Sequence, residues 1–288
     1  MYGKLTLGSR LFQWTNGALL LAFTMLTLYP MWHEMSLSFS SMEEAMRGGF
    51  FWWPREFTAG AYKAVLSSNY IWTAYGNTIF ITLIGTVIST LVTASTAYPL
   101  IKNEMPGKNA VTFLILFTML FGGGLIPTYL LVKGLGLINS LWALILPGAV
   151  SAFNVFVMRS FFVSLPAELE ESAMIDGANP IYIFYRIILP LSMPVLSTIA
   201  LWEAVARWNN FFAAVIYLND KTKYTLPVML RDVISGQELA RLTGEVTTSS
   251  TDSVIAATVI VSAIPILCVY PFLQKYFVKG VMIGAVKS

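Results

Sequence analysis

Residues 74–101 read AYGNTIFITLIGTVISTLVTASTAYPLI and contain no charged side chain. The hydrocarbon core of a bilayer is about 30 Å thick, and about 20 apolar residues in an α-helix are enough to cross it. The stretch meets both the length and the apolarity that this requires. We therefore predict that it forms a transmembrane helix and that the fold is built from such helices.

The composition of the whole chain supports a membrane protein. Of its 288 residues, 11% are charged and 56% are hydrophobic, whereas soluble domains carry roughly 25% charged residues. The mean hydropathy is +0.69. A soluble domain of this size could not remove so much apolar surface from water, which indicates a polytopic membrane protein. The net charge of +3 is too small to indicate nucleic-acid binding.

Six stretches have the length and apolarity of a membrane span. They lie at residues 12–32, 74–101, 110–132, 141–162, 191–218 and 253–277. No low-complexity segment, inverted repeat or interdomain linker interrupts them. The predicted fold is therefore an all-α membrane protein with six transmembrane helices in a single domain over residues 1–288.

An even number of spans places both termini on the same side of the membrane. Positive side chains in short loops near span ends favour the cytoplasmic side. The loop 102–108 and the exit at Lys275 and Lys279 satisfy this rule when both termini are cytoplasmic. The two long loops, 33–73 and 219–252, then lie outside, where their mixed charge does not oppose translocation.

The loop at residues 163–190, which this orientation places inside, carries a series of helix signals. Pro166 suits the first turn of a helix that Gly177 is positioned to end. Pro180 restarts a second short helix, which Pro190 closes. Three carboxylates complement the positive end of the first helix: Glu168, Glu170 and Glu171. The signals predict two short helices with a bend, and an ordinary amphipathic interfacial loop is the alternative.

The same loop also contains a spaced motif. It consists of Glu171-Ser172-Ala173, then Asp176-Gly177-Ala178, then Ile187 and Leu189-Pro190. This pattern resembles the "EAA" loop of permease subunits of bacterial ATP-binding-cassette importers, with Ser172 in place of the first alanine. The spacing is kept throughout, and the motif lies before the penultimate span, as it does in that family.

Several other stretches are similar to the carbohydrate-importer branch of this family. They are Asn77-Thr78, Ala97-Tyr98-Pro99-Leu100 and Trp208-Asn209-Asn210-Phe211-Phe212. The run FGGGLIPTY at 121–129 is similar to a sub-branch that includes importers of uronate-containing oligosaccharides, among them alginate. The segment 279–287 resembles the C-terminal ending of the family without its final glycine.

The resemblance implies a type I importer permease fold in which the loop forms a cytoplasmic coupling helix. Glu171 would pair with a basic residue of a cytoplasmic ATPase, Gly177 would permit the turn between the two helices, and Asp176 would brace that turn. The implied ATPase-coupling residues are Glu171, Ala173, Asp176, Gly177, Ala178 and Pro190. The implied partners in the bacterial cytoplasmic (inner) membrane are a second homologous permease, two cytoplasmic ATPase subunits and an extracytoplasmic solute-binding protein.

The sequence shows no catalytic centre. It lacks a Gly-x-x-x-x-Gly-Lys-Ser/Thr loop, so we expect ATP and Mg to bind the partner ATPase and no cofactor to bind this chain. The triplet 122–124 has no following lysine and indicates a helix break or close packing instead of a phosphate site. With Cys268 and His33 as the only cysteine and histidine, the chain has no internal disulfide and no His/Cys zinc site.

Glu203 and Arg207 lie four residues apart within the fifth predicted span. Because charge at that depth is costly, the two side chains either line the substrate path or neutralise each other. The neighbours that could line the same path or bond between helices are Asn154, Trp208, Asn209 and Asn210. An arginine fork on the path would suit the carboxylate of an acidic sugar.

These features favour the transmembrane subunit of an ATP-driven, binding-protein-dependent importer of oligosaccharides, with uronate-rich chains such as alginate as candidate cargo. A self-contained secondary transporter or channel is the alternative, and such proteins usually carry internal repeats with broken helices. A membrane-embedded enzyme would need a cluster of polar or metal-binding residues within the spans, for which Glu203 and Arg207 alone are insufficient.

Overall fold

The structure, a computed structural model, describes residues 7–243 and 252–285, and the surroundings of the side chains for residues 7–236 and 252–268. Within these ranges every regular element is helical and no strand occurs. The predicted all-α class is therefore confirmed. The side chains of the motif at 279–287 lie outside the described residues.

The chain divides into two compact units. One consists of the chain up to Asn69 together with Leu230–Ile264, and the other of Tyr70–Met229 together with the chain from Pro265 onward. The organisation of residues 1–288 as a single domain stays a prediction.

The first unit begins with α1 (Leu7–Ser38), followed by α2 (Met42–Arg47) and α3 (Gly60–Ser67). Helix α1 contains the predicted span 12–32, and none of its most apolar stretch is buried within the described chain, which fits a helix that lies in a membrane. Its last turn is held instead by a small buried cluster: Leu37, Ala45, Phe51 and Ala256.

The second unit is built around α4 (Asn69–Ala97), which is followed by a 3-10 turn at Pro99–Ile101. The helices that come next are α5 (Lys108–Leu120), α6 (Leu125–Gly134), α7 (Ala152–Val163), α8 (Glu168–Ile175), α9 (Pro180–Ile183), α10 (Leu189–Leu191), α11 (Met193–Trp208) and α12 (Phe212–Tyr217). The last two helices, α13 (Leu226–Thr243) and α14 (Asp252–Ala285), each include residues of both units.

Among the described residues, two helices are long and apolar enough to cross a membrane unbroken, Leu7–Ser38 and Asn69–Ile101. The number rises to five if each bent helix pair counts as one span. The bent pairs are Lys108–Leu120 with Leu125–Gly134 (116°), Ala152–Val163 with Glu168–Ile175 (74°), and Pro180–Leu191 with Met193–Trp208 (79°). The part of α14 whose side-chain surroundings are described, Asp252–Cys268, is a shorter apolar stretch. The count of six spans stays a prediction.

The glycine triplet at 122–124 breaks the third predicted span. Helix α5 ends before it, α6 begins after it, and Gly124 has a φ of +83°. Glycine populates this region at little cost, whereas other L-residues are strained there. The predicted helix break is confirmed, and residues 110–132 form a sharply bent pair of helices.

The prediction of one continuous helix over 141–162 is wrong. Only a 3-10 turn at Leu141–Leu144 and helix α7 are helical there, and α7 measures about 18 Å at 1.5 Å per residue. Pro147 lies between them and has no N–H to donate. Ser151 caps the start of α7, and its hydroxyl accepts from the Asn154 N–H at 3.5 Å. The predicted span 191–218 is likewise divided into α11 and α12.

The largest described core of the second unit joins α4 and its 3-10 turn, α7, the 163–190 segment and α11. Its most deeply buried members are Ala94, Ala97, Leu100, Val155, Met158, Phe162, Ile183, Ile188 and Ile199. Because Ile183 and Ile188 belong to the 163–190 segment, this segment is packed onto the ends of the long helices.

Candidate functional site: the 163–190 segment and the buried Arg207 pair

Helix α8 presents two different acidic faces. Glu168 and Glu171 are exposed, whereas the side chain of Glu170 is only 14% exposed. All three lie in the first turn, where a carboxylate is stabilised by the positive end of the helix. Glu171 is therefore accessible to a partner protein, and Glu170 is turned toward the second unit itself.

Gly177 ends α8 in a tight reversal. Its φ is +82°, its N–H donates to the Met174 carbonyl at 3.0 Å, and the Ala178 N–H donates to the Ala173 carbonyl at 2.9 Å. This pair of bonds is the usual left-handed end of a helix, which favours glycine. The prediction that Gly177 ends the helix is confirmed, and Asp176 lies at the C-cap with its N–H bonded to the Ser172 carbonyl at 3.1 Å.

The second helix of the segment starts as predicted and ends near Pro190. The Asn179 side chain accepts from the Tyr182 N–H at 2.8 Å, with Pro180 in the first helical position. The chain then passes through a π turn at Phe184–Ile188 and stays helical to Leu191. The helix ends at Leu191, one residue after Pro190, so Pro190 lies in its last turn.

Lys102 and Glu170 form an ion pair that connects this segment to the end of α4. The Lys102 ammonium donates to Glu170 Oε2 and lies 4.9 Å from the centre of the Tyr98 ring. Burial lowers the pKa of Lys102, and the Glu104 carboxylate offsets only part of this effect. Sequence reasoning placed Lys102 only in a positive loop and missed this pair.

Arg207 and Glu203 contact each other in the interior. Arg207 Nη2 lies 3.2 Å from Glu203 Oε2, and Arg207 is 7% exposed. The Asn154 side-chain amide donates to Glu203 Oε1 at 2.8 Å. The mutual pair is thus one of the two arrangements that the spacing predicts, and a role of these residues in lining a substrate path stays a prediction.

The remaining contacts of Arg207 come from distant parts of the chain. Its terminal nitrogens donate to the carbonyls of Leu144 at 3.1 Å and Gly148 at 3.2 Å and to the Ser89 hydroxyl. The Nε atom is buried without a hydrogen-bond partner in the described chain. One side chain of α11 therefore ties together α4, the irregular stretch 145–151 and α7, the last through Glu203 and Asn154.

Gly85 makes this arrangement possible. A Cβ atom at Gly85 would lie 2.7 Å from both Cδ and Nε of Arg207, well inside van der Waals contact. Neither Gly85 nor Ser89 was predicted as a functional residue. The signal in the sequence is the small size of Gly85 and Ser89. Small residues in a helix let a neighbouring side chain come close to the helix backbone.

The polar residues at the end of α11 form hydrogen bonds with backbone carbonyls of its last turn. The Asn209 side chain donates to the Val205 carbonyl at 2.9 Å, and the Asn210 N–H donates to the Arg207 carbonyl at 3.1 Å. Asn209 is exposed, and Trp208 and Asn210 are half-buried. The structure places these three residues beside the Arg207 pair, and their part in a substrate path stays a prediction.

Residues 71–283 match the family described as "Binding-protein-dependent transport system inner membrane component". The chain is 43% identical to Protein LplC of Bacillus subtilis (strain 168) over 98% of this chain and 97% of that protein. It is 40% identical to the polygalacturonan/rhamnogalacturonan transport system permease protein YtcP of the same organism, over 97% of this chain and 99% of that protein.

A solved structure is similar over nearly the whole fold. It is described as the crystal structure of a bacterial ABC transporter involved in the import of the acidic polysaccharide alginate. The TM-score is 0.89 at 36% sequence identity, and the match covers 95% of this chain and 99% of that chain.

We expect Gly85→Ala to destabilise the protein by about 1–3 kcal/mol, because the added methyl group forces the Arg207 side chain to move. Gly76→Ala is the matched control in the same helix, since nothing lies within 4 Å of a Cβ there. Alanine in the control should be neutral or stabilising by up to about 1 kcal/mol. Thermal unfolding of both variants in detergent tests this, and equal stability of the two variants would contradict it.

We expect Glu203→Gln to destabilise the protein by about 3–5 kcal/mol, because it leaves the Arg207 charge buried without its counter-ion. Removing both charges, as in Glu203→Gln with Arg207→Met, should cost less than this single change. Unfolding of the single and double variants in detergent measures the difference. A double variant less stable than Glu203→Gln would contradict this expectation.

Proposed function

Because the chain belongs to the family of binding-protein-dependent transport system inner membrane components, we propose that it forms part of the transmembrane path of an ATP-driven oligosaccharide importer. The protein is a transport subunit, and ATP hydrolysis belongs to a separate partner. The path opens alternately to the two sides of the membrane as the ATPase subunits close and separate.

The observation that carries this proposal is the geometry of the 163–190 segment. Its two helices reverse at Gly177 and expose Glu171, while Ala173 and Ala178 pack against the buried cluster of the second unit. A compact knob with an exposed carboxylate suits docking into a cleft of a cytoplasmic ATPase. We assign the coupling helix to α8, with Asp176 at the turn and Pro190 in the helix that leads back toward α11.

The proposed complex contains this chain, a second homologous permease and two cytoplasmic ATPase subunits, which bind ATP and Mg. An extracytoplasmic solute-binding protein delivers the cargo, because the two long loops at 33–73 and 219–252 are too small to form a binding domain. This chain holds no cofactor and binds no nucleic acid in the proposal.

We assign six spans, several of them broken, to the bacterial inner membrane. They correspond to α1, α4, the bent pair of α5 and α6, the stretch that ends in α7, the pair of α11 and α12, and α14. Both termini and the 163–190 segment are cytoplasmic in this arrangement. Lys102 and Lys108 support it, since positive residues in short loops favour the cytoplasmic side.

The proposed cargo is an oligosaccharide, with uronate-rich chains as the specific candidate. Two similar proteins are described with transport of polygalacturonan/rhamnogalacturonan and of the acidic polysaccharide alginate. In the described arrangement, the terminal nitrogens of Arg207 are bonded to Glu203 and to protein oxygens. Recognition of a sugar carboxylate by Arg207 would therefore require the pair to open, or the second permease would supply the cation.

We expect Glu171→Ala and Gly177→Asp to remain in the membrane but to lose transport and to weaken attachment of the ATPase. The first removes the exposed carboxylate, and the second places a side chain at a φ of +82°, which costs roughly 1–2 kcal/mol and distorts the turn. Glu168→Ala is the control, because Glu168 is exposed in the same helical turn. Measurements are sugar uptake and recovery of ATPase with the tagged permease, and wild-type values in both variants would refute the docking role.

The cargo is tested by ATPase stimulation in the reconstituted complex with its binding protein. We expect uronate oligomers to raise the ATPase rate more than neutral oligosaccharides of the same length. Stimulation by neutral oligosaccharides alone would reject the acidic cargo and leave the importer in place. Stimulation by amino acids or metal ions alone would reject the carbohydrate assignment.

A further inference from the structure

The 163–190 segment is attached to the rest of the second unit by two different kinds of contact. On one side, Ile183, Phe184 and Ile188 are buried in the apolar cluster, and the Phe184 ring lies 5.0 Å from that of Tyr98. On the other side, the Lys102–Glu170 ion pair joins α8 to the end of α4. The first contact is non-directional, whereas the second depends on the position of two atoms.

A cavity of about 590 Å³ lies between these two attachments. Lys102, Tyr98 and Met105 line it on one side, and Met174 and Phe184 line it on the 163–190 segment. The cavity is partly open, and it leaves space next to Met174 of α8. The Lys102–Glu170 ion pair is the polar contact that joins α8 to the chain after the 3-10 turn.

The face that carries this contact is not the face that is available to a partner. Glu170 is 14% exposed and Lys102 is 24% exposed at their side chains, so solvent screens the pair less than it would a surface pair. Glu171 on the same helix, the carboxylate assigned to docking, is exposed. One helix can therefore contact a partner with one face and α4 with the other at the same time.

Helix α4 extends from this contact to the buried Arg207. Lys102 directly follows the 3-10 turn at Pro99–Ile101, where the Leu100 carbonyl also accepts from Arg159 Nε of α7 at 3.3 Å. Ser89, which binds Arg207, lies about 12 Å before the end of α4 at 1.5 Å per residue. The helical path is close to continuous over Asn69–Ile101, so the Lys102 contact and the Ser89 contact with Arg207 belong to one rigid element.

We propose that the Lys102–Glu170 ion pair transmits movement of α8 to α4, and so sets how tightly ATP hydrolysis is coupled to transport. This rests on the proposed function, since it takes α8 as the element that the ATPase moves. Without the pair, α8 moves within the cavity while the apolar contacts of Ile183 and Ile188 keep the segment attached. ATP is then hydrolysed with less displacement of the membrane helices. Lys102 and Glu170 are positioning residues in this proposal.

The test uses the complete importer reconstituted in liposomes, with this permease, its partner permease, the ATPase subunits and the binding protein. The variants are Lys102→Gln, Glu170→Gln and the double variant of both, with Glu168→Gln as the exposed control. We expect each single change to lower sugar uptake per ATP hydrolysed at least about fivefold, the lower end of typical coupling between sites. Glu168→Gln should stay at the wild-type value.

Two further measurements distinguish a transmitting contact from a merely structural one. The double variant should lose no more than the more affected single variant, because the second change removes an interaction already absent. Lys102→Arg keeps a cation that can donate to Glu170 and should keep uptake per ATP within about twofold of the wild type. Recovery of the assembled complex should be equal in all variants.

Uptake per ATP that is unchanged in both single variants would overturn the proposal, as would additive losses in the double variant. Loss of assembled complex in a single variant would also overturn it, because the pair would then be a folding contact. A wild-type complex without ATP-dependent uptake would reject the proposed function instead, so the two failures are distinguishable.

Discussion

A guanidinium group among apolar helices is stable only if the protein supplies its counter-charge and accepts its hydrogen bonds. Arg207 imposes this constraint on the second unit. Glu203 must lie beside it, Gly85 must lack a side chain, and the chain at 145–151 must leave the helical conformation so that the Gly148 carbonyl is free to accept. The irregular stretch before α7 therefore supplies a hydrogen-bond acceptor to the buried charge.

This constraint also explains why the interior around Arg207 is not simply apolar. In a helix, a backbone carbonyl normally accepts from the N–H four residues later. The carbonyls of Leu144 and Gly148 accept hydrogen bonds from the Arg207 side chain instead. Non-helical backbone is tolerated within membrane proteins where the protein itself satisfies it. The charge and the broken helix therefore stabilise each other, and changing either one exposes the other to an apolar environment.

Local features of the fold were predictable from the sequence, because the residues that determine them are close together in the chain. Gly177 ends α8, Asn179 and Pro180 begin the next helix, and the triplet at 122–124 bends the third span. Each effect follows from the backbone preference or capping chemistry of one or two residues. The i,i+4 spacing of Glu203 and Arg207 likewise predicts that they can meet.

Features that depend on distant residues were not predictable in the same way. Ser89 lies 118 residues before Arg207, and Lys102 lies 68 residues before Glu170. No periodicity connects such positions, and each lysine or serine has many equivalent alternatives along the chain. The π turn before Pro190 is similarly set by tertiary packing of Phe184 and Ile188.

The two attachments of the 163–190 segment have different effects. The apolar contacts hold the segment in place, and the ion pair fixes its distance from the end of α4. Apolar contacts such as those of Ile183 hold the segment in place but tolerate sliding, because dispersion and burial depend little on direction. An ion pair constrains distance, and in a partly buried site it is strengthened by the lower local dielectric. A segment held only by apolar contacts would stay attached yet move independently of α4. The Lys102–Glu170 pair supplies the directional constraint between α8 and the chain that follows α4.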